Sequence, residues 1–296
     1  MRILILNYFL TDNDLKRASA ILRIRGPDAN TYLQGQFTQE MRVADGAVAY
    51  GLWLDQKGRV LADSHVLKQA DNDYLVVSFS ATAAQLMARL QAYLIADEVE
   101  LEDQTGDRTG VLLWGEGAAG LRAPSNVLAL PSRRAGSDSM QWLVPVGRSG
   151  ELIAELKKSS ARESDRHAAE LIRLREGVPA VPVDIGSRDL PNEGGLDEVA
   201  ISYTKGCYLG QEVMARLKNL GQVRRRLHLV QGAGAPPTPG TGLFQGARKV
   251  GELRSGAADG EKFLAMAMLS LVNLDPAAGL SLAPGVPPTL KILRRV

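Results

Sequence analysis

The chain has one cysteine, Cys207, in 296 residues. That excludes an internal disulfide framework and points to a reducing compartment. It also excludes a four-cysteine iron–sulfur centre built by this chain alone, so any cluster contact needs ligands from another molecule. Histidine is scarce too. His65, His167 and His228 lie far apart without metal-ligand spacing, and no resident metal is expected. A phosphate-cradling Gly-x-x-x-x-Gly-Lys-Ser/Thr loop is missing. No apolar run approaches the length that spans a bilayer. The start, MRILILNYFL, is apolar but interrupted by Asn7 and followed by the charged TDNDLKR. It reads as a strand or extension, not a signal peptide. A soluble, cytoplasmic protein is the expectation.

Acidic residues are absent over 213–251, where Arg216, Lys218, Arg224, Arg225, Arg226, Arg248 and Lys249 all fall. The formal net charge of +2 hides this asymmetry. Such a window suits an anionic ligand, a nucleic acid or an acidic partner; for Arg225 alone, a solvated arginine alternating along a strand is the plainer reading.

What is present describes an ordinary globular chain: 45% hydrophobic and 23% charged residues, with length for two or three modules. ILRIRG (21–26) alternates apolar and basic residues as a half-exposed strand does, and Pro27-Asp28 opens a helix to about residue 33. AVAYGLWLD and GRVLADSHVLK are strand-like runs separated by Gln56-Lys57-Gly58, a hairpin signal. DYLVVSFS and VELEDQ read as strands around a helix over 81–94. TGVLLWG and MQWLVPV are buried strands, followed by a helix over 150–158. A further helix starts at an N-cap on Ser164 and ends at Gly177. Trp53, Trp114 and Trp142 lie in strand runs and are assigned to packing, and His167 to the surface. Short strands and frequent turns after residue 223 indicate a small β-barrel. The fold class is α+β: a first module over 1–107, a second over 108–222 with part of 161–222 packing back on the first, and the barrel over 223–296.

The most unusual chemistry sits in LPNEGGLDEVAISYTKGCYLGQEVMAR (190–216). Gly206 and Gly210 let the backbone turn tightly around Cys207. Val213, Met214 and Leu217 then fall at helical spacing, so a short helix runs over about 211–218. A thiol before a helix N-terminus, with Lys205 nearby, is favoured as thiolate. A lone cysteine also packs as a small buried hydrophobe.

KGCYLGQE (205–212) resembles the signature of the YgfZ family, a branch of the superfamily that includes the glycine-cleavage T-protein. GPDANTYLQGQFTQ (26–39), LDQKGRVLAD (54–63), LIRLREGVPA (171–180), LPNEGGLDE (190–198), VRRRL (223–227) and VGELRSG (250–256) agree in order, so the likeness spans about residues 20 to 260. It implies two α+β modules and a barrel in a ring, with tetrahydrofolate or a one-carbon derivative at the centre. The pterin ring would be gripped by carboxylates at the matching positions, Glu176 and Glu193, since ionised carboxylates accept its paired donors. Arg226 matches the family pattern as a cavity-facing arginine. Where the T-protein has two adjacent aspartates, this chain has Ala62-Asp63. The missing carboxylate weakens the case for aminomethyl transfer, while Asp63 remains a folate contact. Cys207 would be the working sulfur, kept ionised by Lys205 and the helix terminus, and would open with Glu193 onto one common hollow.

The function so implied is a monomeric, tetrahydrofolate-binding accessory protein for iron–sulfur cluster assembly or repair. Its partners would be iron–sulfur client enzymes, including tRNA-modifying ones. Two other classes stay open: a folate-dependent one-carbon transferase, and a tRNA-binding regulatory protein docking through the basic window.

Overall fold

The computed structural model of the chain describes residues 6–10, 20–136, 138–158 and 161–296. Residues 1–5 and 11–19, which carry most of the amino-terminal strand-or-extension reading, lie outside the described residues. Three five-stranded sheets organise the rest.

The first sheet runs Val48–Leu54, Val60–Ala70, Asp73–Ser78, Ala20–Arg25, Glu100–Asp103, with every pairing antiparallel. The expected hairpin forms because Asp55 Oδ1 accepts from the backbone of Lys57 and Arg59, and Gly58 takes φ 73°. Helix Ala83–Gln91 begins on a capping box between Thr82 and Gln85 and turns Leu86 and Leu90 inward. One sheet face packs Leu22, Ile24, Trp53 and Val76 against Leu33 of helix Ala29–Gln36 and Phe37 just after it.

The second sheet runs Arg162–Glu163, Asn7–Leu10, Arg108–Trp114, Ser139–Pro145, Leu128–Ser132. Its second strand departs from the module boundary drawn on sequence order. Asn7–Leu10 pairs with Arg108–Trp114, not within the first sheet, and Tyr8 is buried among Val111, Leu113 and Trp142. Helix Arg166–Glu176 is capped by Asp165, not Ser164. The Asp165 carboxylate accepts from Ala168 N at 2.8 Å, while Ser164 N is occupied by the Tyr8 carbonyl in the edge strand. Gly177, with φ 75°, ends this helix. All three tryptophans are buried, and His167 is exposed.

The third sheet runs Gly242–Gln245, Arg248–Asp259, Lys262–Ser270, Arg225–Ala233, Leu290–Arg295. Ser281 bridges Phe244 on one edge and Leu280 bridges Leu290 on the other. One short segment thus links both edge strands and curls the sheet without closing it strand to strand.

Packing joins the modules. Ile21, Leu75 and Val77 of the first sheet meet Leu130 and Leu143 of the second. Leu52, Leu54 and Val60 meet Leu227, Leu229 and Met266 of the third through Leu196, Tyr208 and Met214. Helix Arg166–Glu176 touches the third sheet, with Arg175 paired to Asp259 at 2.8 Å. The intervening stretch 178–209 threads between them and buries three acids, Asp184, Asp189 and Glu193. Buried carboxylates need partners, and arginines supply them. Arg173 donates to Asp184 at 2.8 Å, Arg225 and Arg254 to Asp189 at 2.9 and 3.1 Å, and Arg225 to Glu193 at 2.7 Å.

Candidate functional site

Side chains alternate along a strand, so Asp63 and His65 of Val60–Ala70 share one face. Tyr50 stands opposite His65 in the register, with ring centroids 5.1 Å apart, and donates its hydroxyl to Asp63 Oδ2 at 2.9 Å. This face is one wall of a cavity of about 270 Å³. Arg133 and Arg134 from the second module, and Arg166 and Glu170 from the helix after it, line the other side. The volume is close to the lower end of the roughly 300–1,000 Å³ usual for small-molecule sites.

Burial shifts both groups. Burial, reinforced by the charges of Arg133 and Arg134, pushes the His65 pKa down to about 4 against the pull of the Pro131 carbonyl, so the ring is neutral at neutral pH. Nε2 of the ring is buried without a partner. In the tautomer with its proton on Nδ1, the neutral ring offers an Nε2 lone pair to a donor. Burial raises the Asp63 carboxyl, opposed by hydrogen bonds from Ser80 and Tyr50 and by the Arg134 charge. The wall thus presents two acceptors, Asp63 and His65 Nε2, to a ligand carrying N–H donors.

The other residues singled out by sequence stand elsewhere. Both oxygens of Glu193 are engaged, by Arg225 and by Leu190 N at 2.9 Å, and Glu193 borders a separate depression with Val213 and Arg216. Arg226 holds the chain end instead, donating to Val296 O at 2.7 Å and Asn192 O at 2.8 Å. Adjacent residues of a strand face opposite ways, which is why Arg225 reaches Glu193 and Arg226 does not. Glu176 is exposed at its helix end, against Gly136, where a Cβ would come within 2.5 Å of its carboxylate. Of the residues named for the site, Asp63 alone lines the cavity. His65, Tyr50 and the Arg133–Arg134 pair were missed; the pair is visible only as a basic doublet in PSRRAGSDS.

Cys207 is exposed. Its loop is fastened on both sides. Lys205 is buried and donates to Phe37 O at 2.6 Å and Gln39 O at 2.8 Å, and Leu209 N donates to Gly35 O. Burial lowers the Lys205 pKa to about 8. Its amine thus ties the loop to the first module, and the sulfur does not share the hollow that Glu193 borders. Gly210, at φ 86°, lies against Asp55 O, where any Cβ would clash at 2.7 Å, and starts helix Gln211–Leu220. Tyr208 is buried under the Lys205 amine, and Lys218 Nζ lies 3.9 Å from the Tyr203 ring centroid. Arg216, Arg224 and Lys249 of the acid-free window, with Lys57 and Arg59, line two depressions that share Arg188 and Arg225. Among the described residues, no three His, Cys, Asp or Glu side chains group to hold a metal. No described helix is long and apolar enough to cross a membrane.

Residues 16–124 match the GCVT N-terminal domain, and residues 224–291 the CAF17 C-terminal beta-barrel domain. The chain is 29% identical over 270 residues to the human iron-sulfur cluster assembly factor IBA57, mitochondrial, covering 80% of this chain and 72% of the relative. It is 27% identical over 230 residues to the tRNA-modifying protein YgfZ of Vibrio vulnificus, covering 75% and 70%. In fold it resembles the glycine cleavage system aminomethyltransferase T of Bartonella henselae, with a TM-score of 0.76, 18% identity, and 94% and 81% coverage. Two domain matches in chain order, relatives named as an iron-sulfur cluster assembly factor and a tRNA-modifying protein, and a fold similar to that of an aminomethyltransferase T are what this chain is similar to.

Proposed function

We propose that this protein is a tetrahydrofolate-binding accessory factor for iron–sulfur cluster assembly or repair, with Cys207 as its working sulfur. The observation that carries the reading is the exposure of the chain's one thiol on a loop anchored by the buried Lys205. A thiol so presented meets a partner without folding being disturbed. With one cysteine, it acts as a single ligand or exchanging thiol, and other cluster ligands come from a client protein. The names of the relatives support iron–sulfur clients, among them tRNA-modifying enzymes. A monomer in a reducing compartment such as the cytoplasm suits one exposed thiol.

The cavity suits the folate. A pterin edge offers side-by-side N–H donors, and Asp63 with the unpartnered His65 Nε2 supplies acceptors for them. Tyr50 fixes the Asp63 carboxylate, and the Glu193–Arg225 pair braces the loop behind. Bound tetrahydrofolate supplies a one-carbon carrier. The test is complementation of a strain lacking its own homologue. Cys207→Ser is expected to fold, to bind tetrahydrofolate and to leave iron–sulfur enzyme activity unrestored; full restoration would overturn the role.

One observation favours a second reading, docking of tRNA. Lys57, Arg216, Arg224 and Lys249 line neighbouring depressions and have no ion-pair partner among the described residues. Steeply salt-dependent tRNA affinity, weakened by Arg224→Glu, would support it, and flat binding would remove it.

A further inference from the structure

The cavity has more cations than its own acids can neutralise. Arg173 is fully engaged, donating to Glu170, Asp184, Ser255 and the Val178 carbonyl. Glu170 accepts two of those bonds, and Asp63 is held by Tyr50. Arg133, Arg134 and Arg166 remain, and none has an ion-pair partner among the described residues. Arg134 lies 4.6 Å over the Phe79 ring, with one long bond of 3.3 Å to Gln141 Oε1. Arg133 lies 5.8 Å over the Tyr50 ring, and its Nε is buried without a partner. Stacking on a ring holds a guanidinium plane in place and leaves its N–H edge free. Cations removed from water without a counter-charge are costly. Burial accordingly lowers the Arg134 pKa despite the help of Asp63. Two guanidiniums set over aromatic rings and an exposed third match a carboxylate, which accepts paired N–H donors from a guanidinium.

We infer that Arg133, Arg134 and Arg166 form an anion subsite that grips a carboxylate of the same ligand whose ring lies against Asp63 and His65. This rests on the folate reading and extends it. The family resemblance implies a glutamyl tail directed to solvent; this chain instead holds the ligand's acidic end within the cavity, through the second module. The ligand class is a donor-bearing heteroaromatic ring joined to a carboxylate.

The test compares three ligands under anaerobic equilibrium binding: tetrahydrofolate, 6-methyltetrahydropterin, which lacks the acidic tail, and p-aminobenzoylglutamate, which lacks the ring. Arg134→Met is expected to weaken tetrahydrofolate and p-aminobenzoylglutamate at least tenfold and methyltetrahydropterin by a clearly smaller factor. Asp63→Asn is expected to do the reverse for the two fragments. Arg133→Met, at a half-buried position, carries the same comparison if Arg134→Met does not fold. Unchanged tetrahydrofolate affinity in a folded arginine variant would overturn the subsite and leave the folate reading standing, as would an equal loss for all three ligands. Wild-type protein that binds neither tetrahydrofolate nor methyltetrahydropterin would overturn both.

Discussion

The Lys205 ammonium donates to the carbonyl oxygen of Phe37 at 2.6 Å, across 168 residues of sequence, and so fastens the loop of the one thiol to the first module. A second bond to Gln39 O and the Tyr208 ring beneath complete the anchor. Lys205→Met would leave two carbonyls without their donor. The expected cost is about 1–3 kcal/mol of unfolding free energy, together with faster amide exchange at Tyr208 and Leu209. Urea denaturation and hydrogen exchange measure both. An unchanged midpoint with unchanged exchange would mean that the Leu209–Gly35 bond holds the loop alone.

Arg173 and Asp184 form the most enclosed ion pair among the described residues, with side chains 3% and 0% exposed. Asp184 also accepts from Ala180 N and from Ser255, so it ties the linker to helix Arg166–Glu176 and to the third sheet. Arg173→Met strands a buried carboxylate and is expected to cost about 3–5 kcal/mol. Adding Asp184→Asn should recover part of that loss, because the amide keeps an acceptor without the charge. Chemical denaturation of the single and double variants checks the non-additivity.

His65 gives the fold a pH dependence of known sign. An unfolded histidine takes up its proton near pH 6.5, whereas the folded one resists until about pH 4. Below pH 6.5 the unfolded state therefore binds more protons, and stability falls as the pH drops towards 4. At about 1.4 kcal/mol per pKa unit, the full effect is about 3 kcal/mol. His65→Gln removes this contribution. The difference between wild-type and variant urea stabilities is expected to shrink from pH 7 to pH 4, and a constant difference would show that the ring is not held neutral.

Local signals carried the fold a long way. The turn at Gln56–Gly58 and the Gly177 stop are each decided by a few neighbouring residues, and such features read directly from a sequence. Asn7–Leu10 was harder, because its partner lies about 100 residues onward and both strands are apolar enough to pair anywhere. The site was less legible still. Asp63 was found through a family motif, but the value of His65 depends on the Pro131 carbonyl, and that of Arg134 on the Phe79 ring, both brought close only by packing of two modules. Glu193 looked like a free carboxylate for the same reason. Nothing in LPNEGG shows that Arg225, on another sheet, will occupy it.

That pairing makes a prediction of its own. Glu193 Oε1 accepts from Arg225 Nε at 2.7 Å and Oε2 from Leu190 N at 2.9 Å, with the carboxylate buried. Glu193→Ala frees Arg225 from one acid while Asp189 retains it, and removes the acceptor for Leu190 N. Bonds to a charged group contribute about 1.5–3 kcal/mol each, but Arg225 is partly exposed and keeps a second partner, so about 1–3 kcal/mol in total is expected. Because Glu193 does not line the cavity, its loss should lower the denaturation midpoint more than the affinity for tetrahydrofolate, whereas Asp63→Asn should do the opposite. Paired denaturation and binding curves for the two variants decide this, and a Glu193→Ala protein of normal stability that no longer bound folate would move the ligand site to the Arg225 side of the linker.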